Sequence, residues 1–207
     1  QQSQGAPINR DQFVLRMDFV ESSKSQWAGR YSWGDEVQFN QGLKLNGSQV
    51  LTNVEQYMGS NTRTLTPNIV NETRFGYTRF YNSTARELAG VRDVVKELAI
   101  PGLNTGAPIT WGIPSVGIAN YSGIGDDSEG PYENKNNSMQ FLNNTSWIHG
   151  KHTFRFGGEI RRDQFNQDDN QFARGSFGFE NNATRNGPTG AGGNAFADFL
   201  DRKSTRL

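Results

Sequence analysis

The stretch that decides the fold is His152-Thr-Phe-Arg-Phe-Gly-Gly-Glu-Ile-Arg-Arg162, in which apolar and charged residues alternate. Successive side chains of a β-strand point to opposite faces. The apolar residues would therefore share one face and the charged residues the other: Phe154, Phe156 and Ile160 against Arg155, Glu159 and Arg161. A long strand of this kind is typical of a transmembrane β-barrel, whose outer face meets lipid and whose lumen is polar.

A second stretch, Gln12-Phe-Val-Leu-Arg-Met-Asp-Phe19, repeats the alternation. Strands of soluble proteins can also alternate, but most of them stop after about five or six residues. Both stretches here are longer. The pattern therefore favours an antiparallel, up-and-down β-barrel in a membrane over a half-buried sheet in water.

The composition agrees with a barrel. Hydrophobic residues make up 33% of the 207 residues and mean hydropathy is −0.74, yet aromatic residues reach 12%. Disordered chains are poor in aromatic residues, and no window holds the eighteen or so apolar residues of a membrane helix. The formal net charge is zero, so no nucleic-acid partner is expected. Cysteine is absent, which excludes disulfides and thiolate metal sites.

The spacing of the predicted strands gives an orientation. The strands cover residues 12–20, 26–33, 50–63, 69–81, 136–148 and 151–165. Their connections are alternately short and long: turns at 21–25, 64–68 and 149–150, and longer connections at 34–49 and 82–135. In bacterial outer-membrane barrels the periplasmic turns are short and the extracellular loops long. We therefore expect the turns to face the periplasm.

The last predicted hairpin has a register that its turn determines. The sequence predicts that Phe141 lies opposite Gly158 and Gln140 opposite Glu159. A slip by one residue would mix charged with apolar side chains, and a basic side chain near the bilayer midplane costs roughly 2–4 kcal/mol. Trp27 and Trp147 each lie beside a predicted turn, where we expect them in the aromatic girdle at the membrane surface. Packing at the rim of a soluble sandwich is the alternative.

Seven motifs follow one another along residues 9–200. They are Asn9-Arg-Asp-Gln-Phe-Val-Leu-Arg-Met-Asp18, Gly29-Arg-Tyr-Ser32, Val70-Asn-Glu-Thr-Arg-Phe-Gly-Tyr-Thr-Arg-Phe80, Ile100-Pro-Gly-Leu103, Trp147-Ile-His-Gly-Lys-His-Thr-Phe-Arg-Phe-Gly157, Arg174-Gly-Ser-Phe-Gly-Phe179 and Asn194-Ala-Phe-Ala-Asp-Phe-Leu200. Single motifs are weak, but the ordered series resembles the barrel of TonB-dependent outer-membrane receptors. It is most similar to the Oar-like branch, which is common in Acidobacteria.

The resemblance implies a barrel of twenty-two strands with a plug domain on its N-terminal side. The chain would then be an internal fragment with about seven strands. We expect a linker (1–11), four barrel strands (12–81), an extracellular loop with a short helix (82–135), strands five to seven (136–180), a loop (181–201) and a non-native tail (202–207). The helix would span residues 86–99 and end before Pro101.

Two sets of strand residues follow from the alternation and the barrel interpretation. Those predicted to line the lumen are Arg16, Arg30, Glu72, Arg74, Arg155, Glu159 and Arg161. Those predicted to face lipid are Phe13, Leu15, Met17, Phe19, Phe75, Phe154, Phe156 and Ile160. We expect the lumen residues to form ladders of opposite charge between neighbouring strands and to contact the plug.

The long connection at 82–135 is the candidate for ligand contact. It combines rings and carboxylates that could stack on a sugar, hold a peptide or bind a cation: Trp111, Tyr121, Asp126, Asp127 and Tyr132. A lid that packs on itself is the alternative. His149 and His152 flank a turn without a carboxylate beside them, so we expect no metal site and no cofactor.

The functional expectation is a fragment of a TonB-dependent receptor in the bacterial outer membrane that takes up a scarce nutrient. Its partners would be membrane lipid, its own plug, the inner-membrane energy-coupling complex and a small substrate. A secreted or surface β-sandwich for carbohydrate binding or adhesion is the alternative, and it would show strands of five or six residues in two packed sheets. No enzyme motif is present, and an outer-membrane hydrolase would need a Ser/His/acid set that the sequence does not offer.

Overall fold

Six long strands form one antiparallel sheet in the computed structural model. The structure describes residues 7–40, 47–86, 88–103, 106–126, 129–187 and 192–201. The long strands are β1 (Ile8–Ser22), β2 (Ser25–Asn40), β3 (Ser48–Thr66), β4 (Ile69–Arg86), β6 (Glu129–His149) and β7 (His152–Gln171). Strands that follow one another in this series are neighbours in the sheet, so the topology is an up-and-down meander.

Three two-residue turns join these strands at one end of the sheet. They consist of residues 23–24, 67–68 and 150–151, and each lies within or beside a predicted turn. In the last of them Gly150 has a φ of +61°, which a residue without Cβ adopts at low cost. The long connections lie at the other end, as the spacing predicts.

The predicted register of the last hairpin is wrong by two residues. Phe141 lies opposite Ile160 and Gln140 opposite Arg161, because the turn uses Gly150 and Lys151 rather than His149 and Gly150. A shift by an even number of residues leaves every side chain on its predicted face. Gln140 still donates a hydrogen bond to Glu159, at 2.7 Å, as a diagonal neighbour.

The strands are longer than the alternation predicts. β2 continues to Asn40 and β3 begins at Ser48, so most of the predicted connection at 34–49 is strand. The connection predicted at 82–135 is also shorter than expected, because β4 continues to Arg86 and β6 begins at Glu129. The extensions of β4 and β6 are mostly polar on both faces and carry no alternation that a sequence pattern could detect. In the extension of β2, Asp35 interrupts the apolar face before Val37 and Phe39, so the alternation is broken there.

A small module stands at the end with long connections. It contains α1 (Val94–Glu97), a 3₁₀ turn (Pro108–Thr110), β5 (Ser115–Ile118), β8 (Ser176–Phe179) and α2 (Ala195–Leu200). We call the described residues of this module, 88–103, 106–126, 172–187 and 192–201, the cap. β5 and β8 pair in parallel, outside the long sheet. Its core consists of Ile118, Phe179 and Ala195.

Three predictions about residues in and near the cap are wrong. Residues 136–180 contain two barrel strands and not three, since the third predicted strand is the short β8; the described chain thus has six barrel strands rather than about seven. The segment 181–201, predicted as a loop, contains α2, which Asn194 caps. The helix predicted at 86–99 is confined to α1, because Gly90 takes a φ of +71° and Asp93 starts the helix.

The predicted tail, residues 202–207, and Asp127 lie outside the described residues. Among those described, no helix has the length and apolarity needed to cross a bilayer.

Candidate functional site

One face of the long sheet carries the seven residues predicted to line the lumen. We call it the charged face. Residues that lie opposite each other in neighbouring strands share a face of the sheet. Arg16 lies opposite Arg30, and the pairings continue from there through β3, β4 and β6 to Arg161 of β7. The residues that share this face are Arg16, Arg30, Glu72, Arg74, Arg155, Glu159 and Arg161. Whether they line a lumen stays a prediction.

Ion pairs on the charged face run mainly along strands and not between them. Arg16 Nε lies 2.9 Å from Asp18, and Arg74 Nη2 lies 2.6 Å from Glu72. Since both partners of each pair are two residues apart on one strand, the predicted ladders between strands are not the main arrangement. Exposed pairs of this kind are worth about 0–1 kcal/mol each in water.

An ion pair that the sequence does not predict joins two neighbouring strands. Arg10 of β1 pairs in register with Glu36 of β2, and their side chains approach to 2.5 Å. The sequence places Arg10 in the linker (1–11) and Glu36 in the connection at 34–49, so neither residue lies on a predicted strand. The alternation of Arg10, Gln12 and Arg16 on β1 was the available signal.

The opposite face carries all eight residues predicted to meet lipid. We call it the apolar face. Phe19 pairs with Trp27, and Phe75 lies between Gly59 and Phe141, which in turn pairs with Ile160. The shared residues are Phe13, Leu15, Met17, Phe19, Phe75, Phe154, Phe156 and Ile160. All eight are exposed, and so broad an apolar surface marks a contact with membrane or protein.

A polar network interrupts the apolar face. The Asn71 amide donates to Asn143 Oδ1 at 3.0 Å and to the Thr145 hydroxyl at 2.9 Å. The Asn143 amide donates to the Thr73 hydroxyl at 2.8 Å. Because these groups satisfy one another, the network lowers the cost of facing a medium without hydrogen-bond partners. Alternation alone does not reveal it, since it needs the register of two strands, β4 and β6, that are far apart in sequence.

Aromatic side chains form two groups on the apolar face. Tyr31, Tyr57 and Tyr77 lie side by side on β2, β3 and β4, with ring centroids 4.8 and 6.1 Å apart. Trp147, nearer the turns, lies 5.5 Å from Phe154. Rings with a polar edge are typical of the two interfaces of a bilayer.

Trp27 and Trp147 share the apolar face but not one row of paired residues. The row of Trp27 reaches Asn143 on β6, four residues from Trp147. A strand tilt of about 40° across three spacings of about 4.8 Å shifts a row by about 12 Å, or roughly four residues. A tilt of this size would bring Trp27 and Trp147 to the same depth in the membrane. That placement stays a prediction.

The predicted ligand residues are distributed over the cap and β6. Tyr121 is 57% exposed, and its ring centroid lies 5.5 Å from that of Phe196. Asp126 is buried and bound to Arg174, at 3.1 Å. Tyr132 lies in β6, opposite Asp169, rather than in a loop. Ligand contact stays a prediction for these residues, although the ion pair already engages the Asp126 carboxylate.

Trp111 contributes its backbone carbonyl to the cap. The oxygen accepts hydrogen bonds from the Arg174 guanidinium at 2.6 Å and from the Gly90 N–H at 3.1 Å. Trp111 thus lies in the structural part of the cap, next to the buried ion pair.

Asp198 is the most deeply buried carboxylate of the cap, with no exposed surface. Burial alone would raise its pKa, but the Thr184 hydroxyl and the backbone N–H groups of Ala183 and Thr184 donate to it, and the net effect is a lowered pKa. The two backbone bonds measure 3.0 and 2.8 Å. The sequence contained no signal for this role, because Asp198 lies inside an apolar run.

Comparisons with known proteins identify a matching protein family. The family described as outer membrane beta barrel domain matches residues 1–203. Comparisons with the curated proteins and with the solved structures gave no match.

Proposed function

Because this chain belongs to the outer membrane beta barrel domain family, we propose that it is part of the barrel of a TonB-dependent receptor, which takes up a scarce nutrient. Family membership confirms the all-β barrel fold and the location in the bacterial outer membrane. Energy-driven uptake is the part that we add, and it rests on the ordered motifs and on the charged face.

The charged face is the observation that carries the proposal. The Arg16 side chain is 68% exposed and that of Arg74 is 54% exposed, although each has an ionic partner on its own strand. Such side chains need water or a polar domain beside them. A wide, plugged barrel supplies both, whereas the interior of a small barrel is filled by its own side chains and leaves no room for a plug.

The proposal assigns a partner to each surface. Membrane lipid would cover the apolar face, and the protein's own plug would contact the charged face. The inner-membrane energy-coupling complex would act through an N-terminal part outside this chain. A small substrate would bind at the outer loops. We propose no catalytic step, no cofactor and no nucleic-acid partner.

Strand length argues against the alternative of a secreted β-sandwich. The six long strands have 15 to 21 residues and form a single sheet. A sandwich would divide shorter strands between two packed sheets. The second sheet in the described part of the chain has only two strands of four residues, and it belongs to the cap.

Growth on defined nutrients tests the proposal. The gene for the full-length protein would be deleted and then restored, and the strains grown with chelated iron, cobalamin or single oligosaccharides as the limiting nutrient. We expect the deletion to abolish growth on one of them. Disruption of the energy-coupling complex should abolish growth on the same nutrient. Energy-independent uptake through the restored protein would contradict the proposal.

A further inference from the structure

A buried ion pair lies at the open end of the β6–β7 hairpin. Asp126 precedes β6, and Arg174 follows β7. Their side chains are 2% and 3% exposed, and Arg174 Nη1 lies 3.1 Å from Asp126 Oδ2. The pair therefore joins the connection that enters the hairpin to the segment that leaves it.

The surroundings of the pair fit it closely. Arg174 Nε donates to the Trp111 carbonyl at 2.6 Å, which brings a third stretch of chain to the same point. The next residue, Gly112, has a φ of +149°, and a Cβ there would lie 2.2 Å from Arg174 Nε and 2.4 Å from Asp126 Oδ2. Only glycine leaves room for the two charged groups to meet at this position.

The parallel strands of the cap begin beside the pair. The Ser115 N–H donates to the Gly175 carbonyl at 3.2 Å, and β5 and β8 continue from there. Their side chains reach the core of Ile118 and Phe179. Neither segment can keep this core without the other.

We propose that the Asp126–Arg174 pair is a clasp that makes the described parts of the two cap segments, one before β6 and one after β7, a single cooperative unit. The two segments fold and open together, so the connection between β4 and β6 is not a gate that moves by itself. The inference goes beyond the proposed function, because it holds whatever substrate the barrel admits.

The physical basis is the cost of an unpaired buried charge. When one partner is removed, the other remains buried without its counter-charge, which costs far more than the loss of an exposed pair. The cap offers a matched control: Arg92 and Glu97 also form an ion pair, at 2.7 Å, but their side chains are 59% and 45% exposed. Breaking that pair should leave the cap closed.

Limited proteolysis of the full-length protein in outer membranes tests the clasp. The variants are Asp126→Asn, Arg174→Met and, as the control, Arg92→Met, and mass spectrometry identifies the cut sites. We expect either clasp variant to speed cleavage of both segments about 100-fold or more, and the control variant to behave as wild type. Faster cleavage in only the segment that carries the substitution would overturn the clasp.

Hydrogen exchange on the unmodified protein keeps the proposal testable if these variants fail to assemble. The Ala119 N–H donates to Phe179, which joins the two segments, and the Gly175 N–H donates to Phe172 within the second. One cooperative unit predicts the same opening equilibrium for both amides. Opening equilibria that differ more than tenfold would show that the segments move separately and overturn the inference.

Discussion

At the scale of single residues, adjacent side chains of β7 should tolerate different substitutions. Phe156 lies on the apolar face and Arg155 on the charged face. We expect Phe156→Arg to prevent assembly of the full-length protein, because a basic side chain in the bilayer costs roughly 2–4 kcal/mol. Arg155→Gln should assemble normally. The amount of heat-modifiable, folded protein in outer membranes measures both, and equal damage would contradict the assignment of faces.

The polar network on the apolar face gives a second prediction for residues. Asn143→Leu removes the partner of Asn71 and Thr73, and should cost about 1 kcal/mol of stability. The double variant Asn71→Leu/Asn143→Leu leaves no unpaired amide, so we expect its loss of stability to be smaller than the sum of the losses in the two single variants. Met139→Leu, on the same face, is the control. Thermal unfolding midpoints in detergent measure all four, and simple additivity would show that the amides do not cooperate.

At the scale of elements, adjacent glycines of β7 should differ sharply. A Cβ on Gly157 would lie 2.3 Å from the Asn143 backbone oxygen, whereas a Cβ on Gly158 would meet nothing within 4 Å. Gly157→Ala must therefore push β6 and β7 apart, and we expect reduced assembly and a lower thermal midpoint. Gly158→Ala should match the wild type. If both variants behave alike in the same assay, close approach of the backbones is not what requires glycine here.

The cap provides a pH prediction. The pKa of Asp198 is lowered in the folded cap, so its carboxylate stabilises the cap above the unfolded pKa of about 3.9, and this contribution is lost as the pH falls through the lowered value. We expect the amides of Ala183 and Thr184 to lose protection from exchange in that range. Asp198→Asn should weaken protection at neutral pH and flatten its pH dependence; the exposed Glu97→Gln should do neither. An unchanged pH profile in Asp198→Asn would contradict this role.

The elements also show what the sequence can predict. Alternation identified five of the six barrel strands and their faces, because lipid on one side and charge on the other leave a signal with a period of two residues. The strand at 50–63 was predicted too, but its weak alternation left its register open. The alternation missed the ends of β4 and β6, where most residues on both faces are polar, and the end of β2, where Asp35 interrupts the apolar face before Val37 and Phe39. It also missed the cap, because β8 and α2 take their stability from β5, which is distant in sequence. The Asp126–Arg174 pair belongs to the same class of long-range contact.

At the scale of the whole molecule, closure is the governing constraint. β1 and β7 are the edges of the six-stranded sheet. Lipid tolerates no open edge, because unpaired backbone groups have no water to bond there. A closed barrel therefore needs strands beyond those described, which agrees with the wide barrel that the proposed function requires.

The orientation of that barrel can be tested with single cysteines, since the chain contains none. Val91 is 72% exposed at the end with long connections, whereas Lys24 and Lys151 lie in the turns at the other end. Long loops face outward in bacterial barrels, so a membrane-impermeant maleimide should label Val91→Cys in intact cells. Lys24→Cys and Lys151→Cys should react only after the outer membrane is permeabilised. The reverse pattern would place the turns outside and the cap in the periplasm, where it could not meet a substrate arriving from the medium.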